Sequence, residues 1–342
     1  MTVDEILERY RFDRELHERL RARVADGSLS LESNVVRGEI EPLEVVPLDS
    51  GAEREGKAAI ERGEVAVAIL NGGMATRFGG LVKGIVEAHG GRSFLEWKLL
   101  DAERWNAPAV VMTSFATDAA TRDFVTGCSL DEPVFFAQSV SLRLNPDGSL
   151  FEEDGEPSPY SPGHGDFADS IRRTGTLDAL RERGIRYVAL SNVDNLGARL
   201  DPRVIGAHIA SGALMTSEAV RKEPGDVGGA PVRVDGRPMV VEGFRFPPGL
   251  DHESMPVFNT NTFVFGVEAL AEPWPLTWLY VEKEVDGRTA VQLETLVNEL
   301  SAFVPTNYVE VPRTGPERRF LPIKEPEDLA AAQDALAEML QS

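Results

Sequence analysis

A glycine-rich loop with two cations follows a short apolar segment and could bind phosphate groups. The apolar segment runs from Val65 to Leu70, Gly72 and Gly73 come directly after it, and Arg77 and Lys83 lie further along. Glycines let the backbone approach a phosphate closely, and the amides beyond them donate hydrogen bonds without formal charge. Turns also need glycine for purely steric reasons, so the loop alone does not decide between the two interpretations.

The glycine spacing matches neither of the two common phosphate-binding motifs. The glycines stand at positions 72, 73, 79 and 80, so the dinucleotide pattern G-x-G-x-x-G is not met. The Walker pattern G-x-x-x-x-G-K-[ST] fails because Gly79 is not followed by lysine. A nicotinamide-dependent dehydrogenase is therefore a weak alternative.

The segment Asn192-Val193-Asp194-Asn195 ends a predicted strand and could bind a divalent cation. Mg²⁺ takes hard oxygen ligands and usually keeps several waters and phosphate oxygens, so a single carboxylate at the end of a strand can be enough. We predict that Asp194 holds Mg²⁺; the alternative is an aspartate that caps a loop. Cys128 is the only cysteine and has no basic neighbour in TGCSLDEP, which argues against thiol catalysis and cysteine-zinc sites.

A histidine between glycines is a further candidate for binding a ligand. His164 lies between two glycines in PGHGD, where it can approach a ligand without steric obstruction. A lone histidine is usually structural, but flanking glycines are a poor way to build a packed core.

The glycine-rich loop resembles the nucleotide-binding loop of the sugar-nucleotide pyrophosphorylases, whose pattern is roughly L-x-G-G-x-G-T-R-x-G-x-x-x-P-K. The matching residues are Leu70, Gly72, Gly73, Thr76, Arg77, Gly79 and Lys83. Two departures stand out. Ala75 replaces the third glycine, and GGLVK is one residue shorter than the family spacing and lacks its proline.

Five later segments resemble, in the same order, motifs of the UTP-glucose-1-phosphate uridylyltransferases of the long, eukaryote-like type. They are PYSPGHGDFADSIRRTGTLDAL, LSNVDNLGARLDP, FNTNTFVF, VQLETLVNEL and RRFLPIK. The likeness runs from about Val65 to Leu329. Long relatives append a β-helical tail after the FLPIK region, and we expect no such tail here.

The resemblance implies nucleotidyl transfer, in which an oxygen of a sugar 1-phosphate attacks the α-phosphorus of UTP in line and pyrophosphate leaves. Catalysis of that kind comes mostly from positioning and charge neutralisation. The implied catalytic cations are Arg77, Lys83 and Lys324, and Lys283 in VEKEV falls near a family lysine. Implied nucleotide-binding residues are Leu70, Gly72, Gly73, Gln138 and Gly163; implied sugar-phosphate residues are His164 and Asn192, with Glu242, Asn259 and Asn261 on the hydroxyls.

Glucose 1-phosphate is the first choice of sugar phosphate, because GHGD resembles the glucose enzymes, whereas the related N-acetylglucosamine enzymes have asparagine in place of the histidine. Two alternatives remain open. The chain could use another sugar 1-phosphate, such as that of galactose or N-acetylglucosamine. It could also be a catalytically silent nucleotide-sugar-binding protein, which Ala75 and the shortened loop suggest.

Alternating strands and helices must position these residues. Crossover units of this kind build a mostly parallel sheet with helices on both faces, and ligands bind at the carboxyl ends of its strands. We predict an α/β, Rossmann-like (GT-A-like) nucleotidyltransferase fold with helices and a connector in residues 1–63, a catalytic domain in 64–325 and a C-terminal helix in 326–342. The predicted elements are helices near 1–27, 52–62, 93–105, 118–125, 167–183 and 326–340, strands VAVAIL, AVVMTS, PVFFA, YVALS and FNTNTFVFG, and a hairpin at Asp235-Gly236.

Composition limits the partners and the location. The formal net charge of −21 repels polyanions, so we expect neither nucleic-acid binding nor binding to an anionic membrane. No segment is apolar enough to span a bilayer or to act as a signal peptide, and we expect a cytoplasmic protein. The sequence leaves the oligomeric state open.

Overall fold

The computed structural model describes residues 1–74, 80–226, 228–250 and 255–340. Arg77 and Ala75, which the sequence singled out, lie outside these ranges. The helices are Val3–Arg9, Arg14–Ala25, Glu53–Glu61, Phe94–Arg104, Asp118–Thr126, Asp166–Arg173, Thr176–Glu182, Pro202–Ser211, Pro326–Ala331 and Gln333–Leu340. Short 3₁₀ turns are Glu32–Asn34, Lys83–Ile85, Gly243–Arg245 and Val297–Ala302.

An eight-stranded sheet forms the centre of the fold. In chain order its strands are β1 (Val46–Pro47), β2 (Val65–Leu70), β3 (Ala109–Thr113), β4 (Val134–Ala137), β5 (Tyr187–Asn192), β6 (Met215–Arg221), β7 (Val257–Gly266) and β8 (Thr306–Glu310). They are arranged β1-β8-β6-β7-β5-β2-β3-β4. Strand β7 is antiparallel to β5 and β6, and the other pairings are parallel, which confirms the predicted mixed, mostly parallel sheet.

Strand β2 lies between β5 and β3, and all six of its residues are buried. Successive side chains of a strand point to opposite faces, so one strand contributes to two cores. Val65, Val67 and Ile69 pack with residues of the helices Phe94–Arg104 and Pro202–Ser211 on one face. Ala66, Ala68 and Leu70 pack with residues of Asp166–Arg173 and Thr176–Glu182 on the other. The apolar run therefore marks a strand covered by helices on both faces.

The N-terminal helical segment that the sequence predicted consists of two helices, and each begins at a polar cap. The Thr2 side chain accepts from the Glu5 amide, and the Asp13 carboxylate accepts from the Leu16 amide. Leu20 and Val24 of the second helix pack in a small core with residues such as Leu293. The N-terminal segment is thus packed against the body of the fold.

Two predicted helices are each divided in the structure. The segment 167–183 breaks at Gly175, which has φ +75° and lies between the helices Asp166–Arg173 and Thr176–Glu182. A residue in the left-handed region cannot continue a right-handed helix, and glycine adopts that region at little cost. The segment 326–340 breaks at Ala332, where the Gln333 side chain bonds the Leu329 carbonyl at 3.0 Å.

Smaller sheets lie outside the central one. A three-stranded sheet contains Ile40–Pro42, Ala230–Val234 and Arg237–Val241, and its predicted turn at Asp235-Gly236 is confirmed, with φ +47° and +77°. A hairpin of Leu279–Val285 and Arg288–Glu294 was not predicted. Two-stranded pairs are Glu87–His89 with Arg92–Ser93, Ser141–Leu142 with Pro159–Tyr160, and Glu152–Glu153 with Glu156–Pro157. Within the described ranges, no helix combines the length and the apolar character that a membrane span requires.

Candidate active site

A cavity of about 570 Å³ opens at the carboxyl ends of β2, β3 and β5, where the loops that follow these strands leave the sheet. This is the edge at which open α/β sheets bind ligands. Many of the predicted site residues line it. They are Leu70, Gly72, Gly73, Lys83, Gln138, Gly163, His164, Asn192 and Asp194.

Gln138 connects the glycine-rich loop to the PGHGD segment. Its Oε1 accepts from the Gly73 amide at 3.2 Å, and its Nε2 donates to the Gly163 carbonyl at 3.2 Å. A Cβ atom on Gly72 would lie 2.1 Å from that Oε1, so the close approach of the two loops requires glycine there. One buried carboxamide therefore fixes the spacing of two cavity walls.

The PGHGD segment lies against the backbone of Thr295. The Gly165 amide donates to the Thr295 carbonyl at 2.9 Å, and the Thr295 amide donates to the Pro162 carbonyl at 2.9 Å. Gly163 has φ +83°, and a Cβ there would lie 2.5 Å from the Thr295 carbonyl oxygen. The glycines beside His164 are thus required by backbone contact as well as by access to the cavity.

His164 is held as a neutral hydrogen-bonding group. Its Nδ1 accepts from the Val297 amide at 3.2 Å, which leaves Nε2 as the protonated nitrogen. Burial lowers the pKa of His164 to about 4. At neutral pH the ring therefore contributes an N–H donor to the cavity and no positive charge.

Lys83 and Asp194 form an ion pair in the cavity wall. Lys83 Nζ lies 2.7 Å from Asp194 Oδ2 and also donates to the Ile323 carbonyl at 3.1 Å. Both side chains are mostly buried, with exposed fractions of 17% and 18%. The pair joins the loop after β2, the loop after β5 and the C-terminal FLPIK segment at one point.

The donor set around Asp194 fits Mg²⁺ bound chiefly through substrate. Among the described residues, no group of three or more His, Cys, Asp or Glu side chains could hold a metal ion. Mg²⁺ is commonly bound by one or two carboxylates together with phosphate oxygens and waters, without an all-protein cage. One carboxylate facing a phosphate-sized cavity is consistent with that mode.

Asn192 and Asn261 meet at the junction of β5 and β7. Asn261 Nδ2 donates to Asn192 Oδ1 at 3.1 Å. The pairing of β7 with β6 is irregular between Asn259 and Phe263, and Asn261 has φ +54° within that bulge. Asparagine tolerates the left-handed region better than most residues. Asn259 lies at the start of the bulge, and its Oδ1 accepts from the Asn261 amide at 3.3 Å.

Four of the predicted site residues are outside the residues that line the cavity: Glu242, Asn259, Asn261 and Lys324. Glu242 Oε1 accepts from Asn298 Nδ2 at 2.9 Å, and burial raises the pKa of Glu242 despite the nearby Lys324 ammonium. Lys324 is exposed, although it directly follows Ile323, whose carbonyl binds Lys83. Arg77 lies outside the described residues.

Sequence reasoning missed part of the cavity wall. Arg143 lines it and is held by Glu153 at 3.1 Å, and burial lowers the pKa of its guanidinium. Nothing in the local sequence marks this arginine. The unpredicted hairpin contributes further lining residues, among them Glu294, which was missed, and Lys283, which the sequence had singled out. Its turn, Asp286-Gly287, carries the same signal that predicted the other hairpin.

The chain is similar in sequence to known proteins over most of its length. The family model described as UTP-glucose-1-phosphate uridylyltransferase matches residues 27–341. A curated protein of that name from Musa acuminata is 31% identical over 91% of this chain and 74% of its own. One from Hordeum vulgare is 30% identical over 91% of this chain and 73% of its own.

Solved structures show the same fold. A UDP-glucose phosphorylase from Trypanosoma brucei superposes with a TM-score of 0.81 and 24% identity, covering 96% of this chain and 77% of the other. A point mutant of a UDP-glucose pyrophosphorylase from Leishmania major, in complex with UDP-glucose, gives a TM-score of 0.73 and 26% identity over 86% of this chain and 70% of the other. The α/β architecture therefore matches proteins of this kind across most of the chain.

Proposed function

The chain belongs to the UTP-glucose-1-phosphate uridylyltransferase family, and we propose that its cavity transfers the uridylyl group of UTP to glucose 1-phosphate, releasing pyrophosphate. It is accordingly a nucleotidyltransferase. The observation that supports this most directly is the convergence of the Gln138 wall, the Lys83–Asp194 pair and Asn192 on one cavity at the sheet's carboxyl edge. A transferase of this kind needs a base pocket, a phosphate pocket and a sugar pocket in contact.

We assign the uracil to the wall formed by Gln138 and Gly163. A carboxamide and a peptide group together supply both donors and acceptors, which suits a flat base with alternating groups. Such a wall rejects cytosine because a mismatched donor would leave buried polar groups unpaired. The adjacent backbone at Gly72 and Gly73, after Leu70, is suited to the triphosphate because it can approach without side-chain obstruction.

In the reaction, an oxygen of the glucose 1-phosphate group attacks the α-phosphorus of UTP. The bond from that phosphorus to the bridging oxygen of the β-phosphate breaks, and pyrophosphate leaves with the electron pair. Two polyanions must meet, so neutralisation of charge is the main requirement. Lys83 is a cation of the cavity wall, and we assign Arg77 and Lys324 as further cations of the phosphate pocket.

Asp194 is the residue that would hold Mg²⁺. When bound, this ion supplies charge neutralisation and orientation for the phosphate groups. Lys83 donates to the Asp194 carboxylate, so the two groups lie side by side. The ammonium could bind a phosphate, and the carboxylate could bind the metal ion. Lys83 also donates to the Ile323 carbonyl, a contact that does not involve the carboxylate.

The sugar 1-phosphate is assigned to the side of the cavity at the end of β5. Asn192 lines the cavity there and accepts a hydrogen bond from Asn261, and neutral His164 lines the cavity as well. Asn259 and Glu242 are proposed hydroxyl-binding residues beyond this pair. A neutral imidazole can donate a hydrogen bond to a phosphate or hydroxyl oxygen. It adds no positive charge, which would stabilise the bound substrate as well as the transition state.

The expected partners are the two small substrates, UTP and the sugar 1-phosphate. The net charge of −21 disfavours association with nucleic acid or anionic lipid, and we keep the cytoplasm as the proposed location.

An assay of pyrophosphate release from UTP, with Mg²⁺ and the 1-phosphates of glucose, galactose and N-acetylglucosamine in turn, tests the proposal. We expect the highest kcat/KM with glucose 1-phosphate. A preference for another sugar would correct the substrate. Retained UTP binding without turnover on any of the three would instead support a nucleotide-binding protein without catalysis.

A further inference from the structure

We propose that Lys98 is a positioning residue for uridylyl transfer, because it fastens both ends of the loop that carries Asn192 and Asp194. Lys98 lies on the helix Phe94–Arg104, outside the cavity, and only 3% of it is exposed. It does not line the cavity, so it can affect the reaction only indirectly. The inference rests on the proposed function.

The ammonium group of Lys98 bonds to two points on the same loop. Nζ donates to Ser191 Oγ at 2.9 Å and to the Ala198 carbonyl at 2.6 Å. Ser191 precedes Asn192 at the end of β5, and Ala198 follows the turn that contains Asp194. One side chain therefore holds the point where the loop leaves the sheet and the point where it returns.

The outer side of this loop is held independently by the C-terminal segment. Asn195 Nδ2 donates to the Arg319 carbonyl at 3.1 Å, and Asn195 Oδ1 accepts from the Leu321 amide at 2.9 Å. The Ile323 amide donates to the Asp194 carbonyl at 3.1 Å. Because these contacts do not involve Lys98, its removal would release the inner side of the loop while the outer side stays attached.

Burying the Lys98 ammonium between a helix and the sheet costs free energy, because the charge is removed from water. Burial lowers the pKa of Lys98 to about 7, against the opposing influence of Asp101. The charged groups facing it are Asp101 on its own helix, Asp194 on the loop, Glu218 on β6 and Arg319 on the C-terminal segment. An apolar side chain would pack there without this desolvation penalty, so the directional hydrogen bonds are what the lysine adds.

The test compares Lys98→Met with the wild type and with Lys57→Met, a matched control at a position whose side chain is 58% exposed. In Lys98→Met we expect kcat to fall by about 10- to 100-fold, as misplacement of a substrate-orienting group does. KM for glucose 1-phosphate should rise because Asn192 is on the loop. KM for UTP should stay within about twofold because the Gln138 wall is not attached to Lys98.

Hydrogen exchange provides a second readout. We expect faster amide exchange in peptides covering 191–198 of Lys98→Met, with the rest of the chain unchanged. If Lys98→Met does not fold, Ser191→Ala provides the test, since it removes one of the two acceptors of the Lys98 hydrogen bonds. We expect a smaller fall in kcat, again with a rise in KM for glucose 1-phosphate and little change in KM for UTP.

The outcomes separate this inference from the proposed function. A wild-type protein without turnover would overturn the function. An active wild type with unchanged kinetics in Lys98→Met would overturn the positioning role. Equal rises in both KM values, with faster exchange throughout the chain, would show a general structural role and would equally overturn it.

Discussion

Lys83 Nζ lies 2.7 Å from Asp194 Oδ2 at the edge of the central sheet, so the cation assigned to phosphate and the carboxylate assigned to Mg²⁺ are in direct contact. The Coulomb attraction within an ion pair is stronger when the pair is mostly removed from water, but removing both charges from water also costs free energy. The pair keeps both charges compensated in a chain of net charge −21. In the proposed reaction, Lys83 would meet a phosphate and Asp194 would meet Mg²⁺ at the same place.

Replacing Lys83 with alanine should lower kcat by about 10²- to 10³-fold, the range found when one preorganised stabilising group is lost. The reason is the proposed role of Lys83, which is to neutralise charge that develops as the phosphates meet. Steady-state kinetics of pyrophosphate release measures the effect, with Lys57→Ala as a control on the exposed face of the helix Glu53–Glu61. A Lys83→Ala enzyme with normal turnover would require another cation for this role.

Lys324→Ala tests the second assigned cation. Lys324 is exposed, so removing its side chain should leave the fold intact. Its ammonium acts to lower the pKa of Glu242. We expect a large loss of turnover with little change in the melting temperature. Unchanged turnover would remove Lys324 from the phosphate pocket and leave it as a surface lysine.

Gly163→Ala should impair UTP use selectively. The added Cβ would lie 2.5 Å from the Thr295 carbonyl oxygen at a residue with φ +83°, so the PGHGD segment must shift away from Thr295, which disturbs its hydrogen bond with Gln138. A shift of about 1 Å in a binding wall can cost about 100-fold in kcat/KM. Gly127→Ala is the control, since Gly127 has φ −84° and its nearest neighbour would lie at 3.4 Å. Equal kcat/KM for UTP in the two variants would contradict the assigned wall.

Asn261→Gly separates the Asn261 side chain from its backbone conformation. Glycine adopts φ +54° readily, so the bulge in β7 should persist while the amide is lost. We expect KM for glucose 1-phosphate to rise by about tenfold, the value of one hydrogen bond, with KM for UTP unchanged. Asn106→Gly is the matched control, at φ +51° and exposed. A rise in KM for UTP alone would contradict the assignment of Asn261 to the sugar phosphate.

Two histidines should make the protein less stable in mild acid. Burial lowers the pKa of His208 to about 4, and His164 behaves alike. Because the unfolded chain binds these protons first, stability falls as pH drops from about 6.5 towards 4, and neither group contributes above pH 6.5. Each histidine should cost about 2 kcal/mol between pH 6.5 and 5.

Urea unfolding at pH 7 and pH 5 measures this loss, and His208→Gln removes one of the two groups without touching the cavity. Buried carboxyls such as Asp101 and Asp166 oppose the trend, since burial raises their pKa, but they are common to both proteins. We expect a smaller difference between the two pH values in His208→Gln. An identical difference would contradict the assignment of the acid sensitivity to this ring.

Much of the central sheet could be predicted from the sequence, because the local hydrophobic pattern of its strands agrees with their buried environment. The strand Val65–Leu70 has the predicted bounds, since a continuous apolar run is suited to burial on both faces. Strand β6 was missed because Glu218 and Arg221 make it look exposed; Glu218 is in fact buried against Arg319. That ion pair joins residues about a hundred positions apart, and no local pattern contains it.

Other misses had signals that were available. The helix Pro202–Ser211 begins with an aspartate cap and proline at its first position, the preferred start of a helix. The Asp286-Gly287 pair marked the second hairpin.

Within the site, the sequence predicts that residues on the loops after parallel strands lie together at one edge of the sheet. The roles of Arg143 and Lys98 could not, because a cation in the sequence gives no sign that it will be buried.

Transfer of labelled uridylyl groups tests the central claim most directly. The purified chain is incubated with UTP labelled at the α-phosphorus, glucose 1-phosphate and Mg²⁺, and the products are separated. We predict that the label appears in UDP-glucose in amounts equal to the pyrophosphate released. Label that remains in UTP, with UTP bound and glucose 1-phosphate unconsumed, would contradict the account.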